Sequence, residues 1–375
     1  MTYKLIIASA SAGAGHARAA SALKSAFDAV GYPGSARAVD TLQYMVPVFR
    51  QLYLKSYFSV IGALPWYWRF LYRRWDRKKT SGLERRAMCT MDRFSAKKFI
   101  RLIESEQPTH VACTHFLPAE ILTWMRRTGR LDVPVGVVVT DYDAHRIWMN
   151  DGTDQYFVAS KRIREQMISK GAPASRVATF GIPIDPVFCE SIDRARARAN
   201  LGLDPDLPTV LTLGGGDGMG GIRKTVNALA QCGTLQILAV AGNNRKLKRQ
   251  LDRLRFDGPA KLIPYGFVNN IETLMAASNL VVTKPGGMSG TECLAAGVPM
   301  VLTLPIPGQE EKNSAFLVEC GAAASASDSY ELREVVSALL NDSERLAGMS
   351  QAARDAAQPR AAFDIVDALL RLDAT

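Results

Sequence analysis

Short apolar runs alternate along the first half of the chain with longer stretches in which apolar residues recur at helical spacing. This pattern predicts strands at residues 3–9, 36–40, 111–114, 135–140 and 155–159, and helices at 17–30 and 163–170. Strands that alternate with helices in this way are typical of doubly wound parallel sheets, which bind ligands at the carboxyl ends of their strands.

The alternation restarts after residues 181–190, a segment rich in proline and glycine that we interpret as a link between two domains. The second half predicts strands at 210–213, 235–241 and 279–283, and helices from 222, at 245–255 and at 291–296. We therefore predict an α/β protein with an N-terminal domain over 1–185 and a C-terminal domain over 186–350. A helix within 351–375 is expected to pack back on the N-terminal domain.

Composition narrows the class of protein. A chain of 375 residues with 47% hydrophobic residues is long enough for the cores of two domains. The formal net charge of +10 indicates an anionic partner. Charge alone does not distinguish nucleic acid, a phosphorylated substrate and an anionic membrane. The six cysteines include no CxxC pair, which argues against a disulfide framework or structural zinc and favours a reducing cytosol. The N-terminus lacks the signature of a signal peptide, so we expect none.

Residues 279–313 predict a site for a diphosphate. A strand over 279–283 leads into a turn with Lys284, Gly286 and Gly287, which a helix, a second strand and a polar loop follow. The free N–H groups and partial positive charge of a helix N-terminus suit a diphosphate, the glycines let the backbone approach it, and Lys284 adds a cation. Glu292 and the polar loop at 309–313 supply groups that bind hydroxyls.

A second glycine-rich loop, within residues 9–20, also lies between a strand and a helix. A dinucleotide site is one interpretation, because Asp40 ends the next strand where a ribose-binding acid belongs. However, Arg18 occupies the place of the third glycine in the glycine-rich motif of dinucleotide-binding sites. His16, next to Gly15, can act as a base near neutral pH. The alternative is that His16 only forms a hydrogen bond with a phosphate or with the backbone.

The strand predicted at 135–140 is followed by Asp141, Asp143 and His145. These side chains can bind a divalent metal, and an Asp-x-Asp pair holds the nucleotide diphosphate in one class of glycosyltransferases. Without a metal, Asp141 can take a proton from an acceptor hydroxyl or orient His16. The alternative is that both aspartates cap the loop.

The glycine-rich segment 213–225 is close to a Walker loop, but Arg223 stands where that motif requires glycine, so we reject a nucleoside triphosphatase. Its backbone N–H groups can still close on the same diphosphate, unless the segment is only a tight turn. The glycines concerned begin with Gly214, Gly215 and Gly216.

Residues 52–79 combine aromatic and basic side chains, and their uncharged core, residues 56–68, is shorter than the roughly 20 apolar residues that span a bilayer. Aromatic side chains beside a basic flank favour a helix that lies on an anionic membrane. The alternatives are a core helix with a solvated basic end and an RNA-binding face. The apolar residues do not alternate with polar ones, which disfavours the RNA-binding face. The candidate membrane and acceptor residues are Trp66, Trp68, Phe70, Tyr72, Arg73 and Arg74.

Several motifs occur in order along nearly the whole chain: GAGHARAA, THFLPAE, VVTDYDAHRIW, GIPIDP, LGGGDGMGG, VVTKPGG, PIPGQEEKN and the aromatic-basic segment. In this combination the chain resembles the monogalactosyldiacylglycerol synthase and processive diacylglycerol glucosyltransferase family of glycosyltransferase family 28. That family belongs at the fold level with the peptidoglycan lipid II N-acetylglucosaminyltransferases. The resemblance implies a GT-B fold, in which two Rossmann-like doubly wound domains face each other across a cleft.

The resemblance also implies a function. It is the inverting transfer of a hexose from UDP-glucose or UDP-galactose to the hydroxyl of diacylglycerol, by a peripheral protein on the cytoplasmic face of the cell membrane. We expect no metal, no cofactor besides the UDP-sugar donor, and no nucleic acid partner. The alternatives are another lipid acceptor, polyprenyl-linked or sterol, and a non-catalytic protein that binds nucleotide sugar or lipid. The presence of His16, Glu292 and Gln309 argues against the last.

By its motifs the resemblance assigns roles to single residues. Glu292 would bind the ribose hydroxyls, Gln309 and Glu310 the donor sugar, and the backbone near Phe267 the uracil. His16 would remove the proton of the acceptor hydroxyl, supported by Asp141. The family often has Leu-Thr-Val-Ser-Glu after the double glycine, where this chain has residues 288–292 with an additional glycine that we expect to loosen the helix start. The full set expected at the UDP-sugar is Gly15, Gly214, Gly215, Gly216, Phe267, Lys284, Gly286, Gly287, Glu292, Gln309, Glu310 and Asn313.

Overall fold

The structure is a computed structural model that describes residues 2–11, 13–53, 65–77, 95–214 and 221–373. The chain divides into two compact units. The first consists of Met1–Pro186, Ile306–Gln309 and Pro359–Thr375, and the second consists of Val187–Pro305 and Glu310–Gln358.

A parallel sheet forms the centre of the first unit. Its strands are β1 (Tyr3–Ser9), β2 (Gly34–Asp40), β3 (His110–Cys113), β4 (Val135–Val138), β5 (Gln155–Val158) and β6 (Val177–Thr179), in the order β2-β1-β3-β4-β5-β6. Because β2 and β3 lie on opposite sides of β1, the sheet changes direction there. The carboxyl ends of β1 and β3 therefore border the crevice in which doubly wound folds bind ligands.

Helices connect these strands: α1 (Ala14–Val30), α2 (Pro65–Arg77), α3 (Lys97–Glu106), α4 (Phe116–Arg127) and α5 (Lys161–Ser169). Short 3-10 turns lie at Thr41–Tyr44, Arg146–Trp148, Ala174–Arg176 and Pro186–Cys189. The end of α1 follows from its sequence, because Gly31 has a φ of 73° and donates its N–H to the carbonyl of Asp28. Glycine adopts this left-handed conformation without the cost that a Cβ atom imposes.

The second unit repeats the plan. Its strands are β7 (Thr209–Leu213), β8 (Gln236–Val240), β9 (Lys261–Tyr265), β10 (Leu280–Thr283), β11 (Met300–Thr303) and β12 (Ala323–Ala326), all paired in parallel in the order β12-β11-β10-β7-β8-β9. The direction changes between β7 and β10, so the carboxyl ends of these two strands border the ligand crevice of this sheet.

The remaining helices are α6 (Arg194–Asn200), α7 (Ile222–Leu229), α8 (Arg245–Asp252), α9 (Ile271–Ala277), α10 (Gly287–Ala295), α11 (Gln309–Glu319), α12 (Ser329–Leu340), α13 (Ser343–Ala356) and α14 (Ala361–Leu370). Helix α14 belongs to the first unit, where Ile365 and Leu369 join a core with Leu5, Leu23 and Phe27. In the second unit the core lies between the sheet and its helices. It includes Val210, Ile237, Leu280, Val301 and Val336.

The structure corrects two bounds near the predicted diphosphate site. Helix α10 begins at Gly287 and not at residue 291, so the second glycine of the turn is already helical. Residues 309–313, predicted as a polar loop, form the start of α11. Two acidic residues in its first turn, Glu310 and Glu311, suit the positive end of the helix dipole.

The sequence pattern also missed β6, β9 and β12, which lie at sheet edges. Edge strands carry a weaker apolar signal, and β9 includes Pro264, which an edge position tolerates because one side of the strand forms no ladder. Within the described ranges, none of the helices combines the length and the apolar character needed to cross a bilayer.

Candidate active site

Three neighbouring strands bring the candidate base and its surroundings together. His16 lies in the first turn of α1, directly after β1, while Thr114 and His115 follow β3, and Thr140 and Asp141 follow β4. Since β1, β3 and β4 are adjacent and parallel, their carboxyl ends meet at one edge of the sheet. Loops far apart in sequence therefore converge on His16.

Hydrogen bonds determine the protonation pattern of the His16 ring. Its Nδ1 lies 2.8 Å from the carbonyl oxygen of Thr114 and 3.0 Å from the hydroxyl of Thr140. A carbonyl only accepts, so Nδ1 carries the hydrogen and donates it, and Nε2 keeps its lone pair. The hydroxyl of Thr114 also donates to the His16 carbonyl at 2.9 Å. His16 is thus oriented with Nε2 ready to accept a proton, and the predicted Gly15 lies beside it in the same helical turn.

Burial keeps His16 neutral. It lowers the pKa of the imidazole to about 4, although the hydrogen bond to the Thr114 carbonyl acts in the opposite direction. His115 packs edge-on against the ring with 4.6 Å between ring centroids, and burial lowers its pKa well below the ordinary value, as does the nearby His16. The Nδ1 of His115 accepts the N–H of Leu117 and so begins α4. Both imidazoles are therefore uncharged at neutral pH.

Asp141 lies at the same edge of the first sheet and is buried. Its Oδ1 accepts a hydrogen bond of 2.6 Å from Nε2 of Gln309, in the segment Ile306–Gln309 of the same unit. Two residues that the sequence assigned to different tasks, Asp141 to the base and Gln309 to the donor sugar, are thus in direct contact.

Asp143 and His145 hold helix α2 in place. Asp143 accepts a 2.7 Å hydrogen bond from the hydroxyl of Tyr72, and the His145 ring packs on the Tyr72 ring with 4.1 Å between centroids. His145 also donates from Nε2 to the carbonyl of Tyr72 at 2.8 Å, and its Nδ1 accepts the N–H of Ile147. In the described ranges no group of three or more His, Cys, Asp or Glu side chains is arranged to hold a metal ion.

Helix α2 has an exposed face and a docked face. On the exposed face Trp66 and Phe70 are 69% and 57% accessible, and three basic residues, Arg69, Arg73 and Arg74, are also exposed. Tyr72, predicted to lie at the membrane, is instead buried, and its hydroxyl donates a hydrogen bond to Asp143.

The docked face of α2 is completed by a salt bridge and by ring packing. Lys170 binds Asp76 at 2.6 Å, and this hydrogen bond holds the pKa of Asp76 below its ordinary value although burial alone would raise it. Trp68 is half-buried and packs edge-on against Trp75, 6.2 Å between ring centroids. Its predicted membrane contact is therefore at most partial.

The predicted diphosphate site of the second unit combines a helix N-terminus with a lysine. Gly286 caps α10 without a side-chain bond, so the N–H groups of the first turn point beyond the helix. Lys284 follows β10 and lies 3.2 Å from the carboxylate of Glu310, on α11. A cation and several N–H donors at one strand end are the groups that we expect at a diphosphate site.

The other predicted donor residues of this unit lie on the same elements. Glu292 on α10 and Asn313 on α11 are buried, whereas Phe267, after β9, is 63% exposed. Gly214 follows β7 directly. The adjoining glycines Gly215 and Gly216 lie outside the described residues.

The additional glycine of the chain, Gly290, lies inside α10, and its N–H donates to the carbonyl of Gly286 in an ordinary helical bond. The helix start is therefore regular where we expected it to be loosened. A Cβ atom at residue 290 would come within 2.8 Å of Leu317 on α11. Glycine at this position lets α11, which carries Glu310 and Asn313, pack closely against α10.

Sequence reasoning missed the residues that orient His16. Thr114 and Thr140 end predicted strands and His115 directly follows one, a position that could have marked them as neighbours of the glycine loop. Trp148, whose ring centroid is 6.0 Å from that of His16, carried no such signal, because the loop between β4 and β5 brings it there.

Comparison with known proteins finds matches in both halves of the chain. Residues 16–184 match the Monogalactosyldiacylglycerol (MGDG) synthase family, and residues 209–365 match the Glycosyltransferase family 28 C-terminal domain. The chain is 30% identical over 372 residues to the processive diacylglycerol beta-glucosyltransferases of Bacillus mycoides and Bacillus cytotoxicus, covering 98% of this chain and 93% of each relative.

Solved structures share the fold. Acinetobacter baumannii MurG aligns with a TM-score of 0.64 and 16% identity over 98% of this chain and 99% of its own. Anabaena HepE in complex with UDP-glucose aligns with a TM-score of 0.57 and 15% identity over 98% and 99%. The predicted GT-B class, with two Rossmann-like α/β domains, is confirmed. Matches to both halves in order, and 30% identity over nearly the whole chain, show that the protein belongs to the family of the processive diacylglycerol beta-glucosyltransferases.

Proposed function

We propose that the protein transfers glucose from UDP-glucose to the hydroxyl of diacylglycerol and forms a β-linked glycolipid. The full-length similarity to diacylglycerol beta-glucosyltransferases carries this proposal. Glucose is favoured over galactose because the relatives that are 30% identical over nearly the whole chain are glucosyltransferases.

The reaction we propose is a single displacement. Nε2 of His16 accepts the proton of the acceptor hydroxyl while the hydroxyl oxygen forms a bond to the anomeric carbon of the sugar. The bond from that carbon to the diphosphate oxygen breaks, and UDP leaves with the electron pair. Because the sugar of UDP-glucose is α-linked and attack comes from the opposite face, the product is the β anomer. The orientation of His16 by Thr114 and Thr140 supports its role as the base.

The second unit supplies positive charge for the leaving group. Negative charge that grows on the diphosphate is stabilised by the N–H groups at the start of α10 and by the Lys284 ammonium. We therefore propose that transfer requires no divalent metal and continues in the presence of a chelator.

One assay tests the proposal. The protein is incubated with vesicles that contain diacylglycerol and with UDP-glucose or UDP-galactose, and the lipid product is identified by mass and anomeric configuration. We expect a β-glucosyl lipid and a much slower reaction with UDP-galactose. Product with only UDP-galactose would overturn the choice of glucose, and product only with a polyprenyl or sterol acceptor would overturn diacylglycerol.

A variant of the base makes the test specific. His16→Ala should slow transfer about 10²- to 10⁴-fold, the usual loss when a general base is removed, while UDP still binds. His110→Gln is a matched control, because His110 also contacts a carbonyl, that of Leu372 at 3.2 Å, but lies at the amino end of β3. Near-normal turnover of His16→Ala would exclude His16 as the base.

We further propose that the exposed face of α2 rests on an anionic membrane on the cytoplasmic side, where it meets the lipid acceptor. Exposed rings beside exposed guanidinium groups combine apolar insertion with attraction to anionic headgroups. Replacing Trp66 and Phe70 by alanine should reduce co-sedimentation with phosphatidylglycerol vesicles and leave UDP binding unchanged. Unchanged co-sedimentation would remove α2 from this role.

A further inference from the structure

Tyr72 lies on α2, the helix that carries the proposed membrane face, and contacts the segment that carries Asp141. Its hydroxyl donates to Asp143, and its ring packs on His145. Both partners belong to the segment that follows β4, in which residues 140–145 are all buried. A contact at Asp143 is therefore only two residues from Asp141 and three from Thr140, whose hydroxyl lies 3.0 Å from His16.

The Tyr72 ring also meets the segment Ile306–Gln309 of the same unit. A Cβ atom at residue 308 would lie 2.8 Å from Cδ1 of Tyr72, so the ring occupies the space beside this glycine. Gly308 has a φ of 93°, a conformation natural to glycine, and precedes Gln309. Gln309 in turn donates to Asp141 at 2.6 Å.

These contacts form a closed circuit of residues. It runs from Tyr72 through Asp143 to Asp141, from there through Gln309 to Gly308, and back to Tyr72. Close-packed buried groups transmit a displacement to their neighbours because no free volume absorbs it. A shift of α2 would therefore move Asp141 and Gln309 together.

We propose that Tyr72 is a positioning residue that couples the position of α2 to the positions of the Thr140–Asp141 segment and of Gln309. This inference rests on the proposed function, because it assigns α2 to the acceptor membrane and His16 to the chemistry. Its consequence is that a displacement of α2 at the lipid surface changes the placement of the groups around His16. The coupling uses the tyrosine hydroxyl in particular, since the ring alone would only fill space.

Two substitutions separate the hydroxyl from the ring. Tyr72→Phe keeps the ring on His145 and beside Gly308 but removes the bond to Asp143, and Asp143→Ala removes the same bond from the other side. Asp143→Asn keeps an oxygen that accepts from Tyr72. Tyr156→Phe is the matched control, because Tyr156 is a buried tyrosine whose hydroxyl bonds to the backbone of Asn150 at 2.6 and 2.7 Å.

Transfer to diacylglycerol is measured in phosphatidylglycerol vesicles, together with vesicle co-sedimentation and thermal unfolding. We expect Tyr72→Phe and Asp143→Ala to co-sediment like the wild type but to lose about ten- to a hundredfold in kcat, the scale on which a misplacement of about 1 Å slows an enzyme. The kcat of Asp143→Asn should stay within about threefold of the wild-type value. Tyr156→Phe should keep the wild-type kcat even where its Tm falls. A folded Tyr72→Phe with wild-type kcat, or an equal kcat loss in Tyr156→Phe, would overturn the coupling.

A readout independent of the substrate separates this inference from the proposed function. The chain has only 4 histidines, so the imidazole nitrogens can be followed individually by NMR. We expect the His16 signals to shift in Tyr72→Phe and to stay in place in Tyr156→Phe, whatever the acceptor. Unmoved His16 signals refute the coupling, whereas shifted signals in a protein that transfers nothing to diacylglycerol refute only the proposed acceptor.

Discussion

The environment of His16 predicts an unusual pH profile. An imidazole with the ordinary pKa of 6.5 is neutral in nearly all molecules at pH 8 but in only about 9% at pH 5.5, so a reaction that needs it as a base slows about tenfold. Burial lowers the pKa of His16 to about 4. At pH 5.5 about 97% of such rings remain neutral, and the rate falls by only about 3%.

The assay is the initial rate of sugar transfer in vesicles, measured between pH 5 and 8 and expressed as kcat/KM, which reports the ionisation of the free enzyme. Neither the hydroxyl of the acceptor nor the diphosphate diester of the donor titrates in this range. We expect a flat profile down to about pH 5. A fall of about tenfold by pH 5.5, centred near pH 6.5, would refute the argument that burial keeps His16 neutral.

Stability provides the necessary control. The pKa of His16 is lower in the folded chain than the 6.5 of an exposed imidazole, so the folded state binds fewer protons and loses stability as the pH falls from about 6.5 toward 4. A fall in the pKa from 6.5 to about 4 corresponds to about 3 kcal/mol at most, and solvent at the half-buried side chain reduces this contribution. Circular dichroism at each pH must therefore show a folded protein before a loss of rate is assigned to the base.

Three further outcomes can be measured. Lys284→Ala should raise KM for the UDP-sugar about ten- to a hundredfold, as expected for a lost charge-assisted bond of about 1.5–3 kcal/mol, and Lys284→Arg should largely restore it; an unchanged KM would remove Lys284 from the diphosphate site. Gly290→Ala should lower Tm, because the new Cβ would lie 2.8 Å from the buried Leu317 and overpacking costs about 1–3 kcal/mol. Gly348→Ala, in α13 with nothing within 4 Å of the new Cβ, should raise Tm through its helix propensity, so a rise in both variants would contradict the packing of α11 on α10.

The pattern of the chain predicted most central strands within one or two residues. β1, β7 and β10 are buried on both faces, which requires continuous apolar runs that are visible in sequence. The edge strands β6, β9 and β12 escaped prediction, and so did α11, whose polar first turn resembles a loop. A polar start is ordinary for a helix, because acidic side chains stabilise its positive end.

The roles within the VVTDYDAHRIW motif could not be read from the sequence. Asp141, Asp143 and His145 were equally consistent with a metal site, a base and a capped loop. Asp143 and His145 contact Tyr72, about seventy residues earlier in the chain, and Asp141 contacts Gln309, much later. Contacts of such separation depend on which strands are adjacent in the sheet, and local pattern does not specify that order.

The sequence by itself determined the α/β class, the glycine-rich turns at strand ends, the candidate base His16 and the aromatic-basic helix. All of these depend on local rules: periodicity of burial, glycine at positions that need its conformations, and the chemistry of a side chain beside a loop. Only the tertiary structure decided which nitrogen of His16 is free, that its pKa is low, and that Tyr72 faces inward. Each of these follows from groups that long-range packing brings together, since burial and hydrogen-bond partners are properties of the assembled edge of the sheet and not of any one segment.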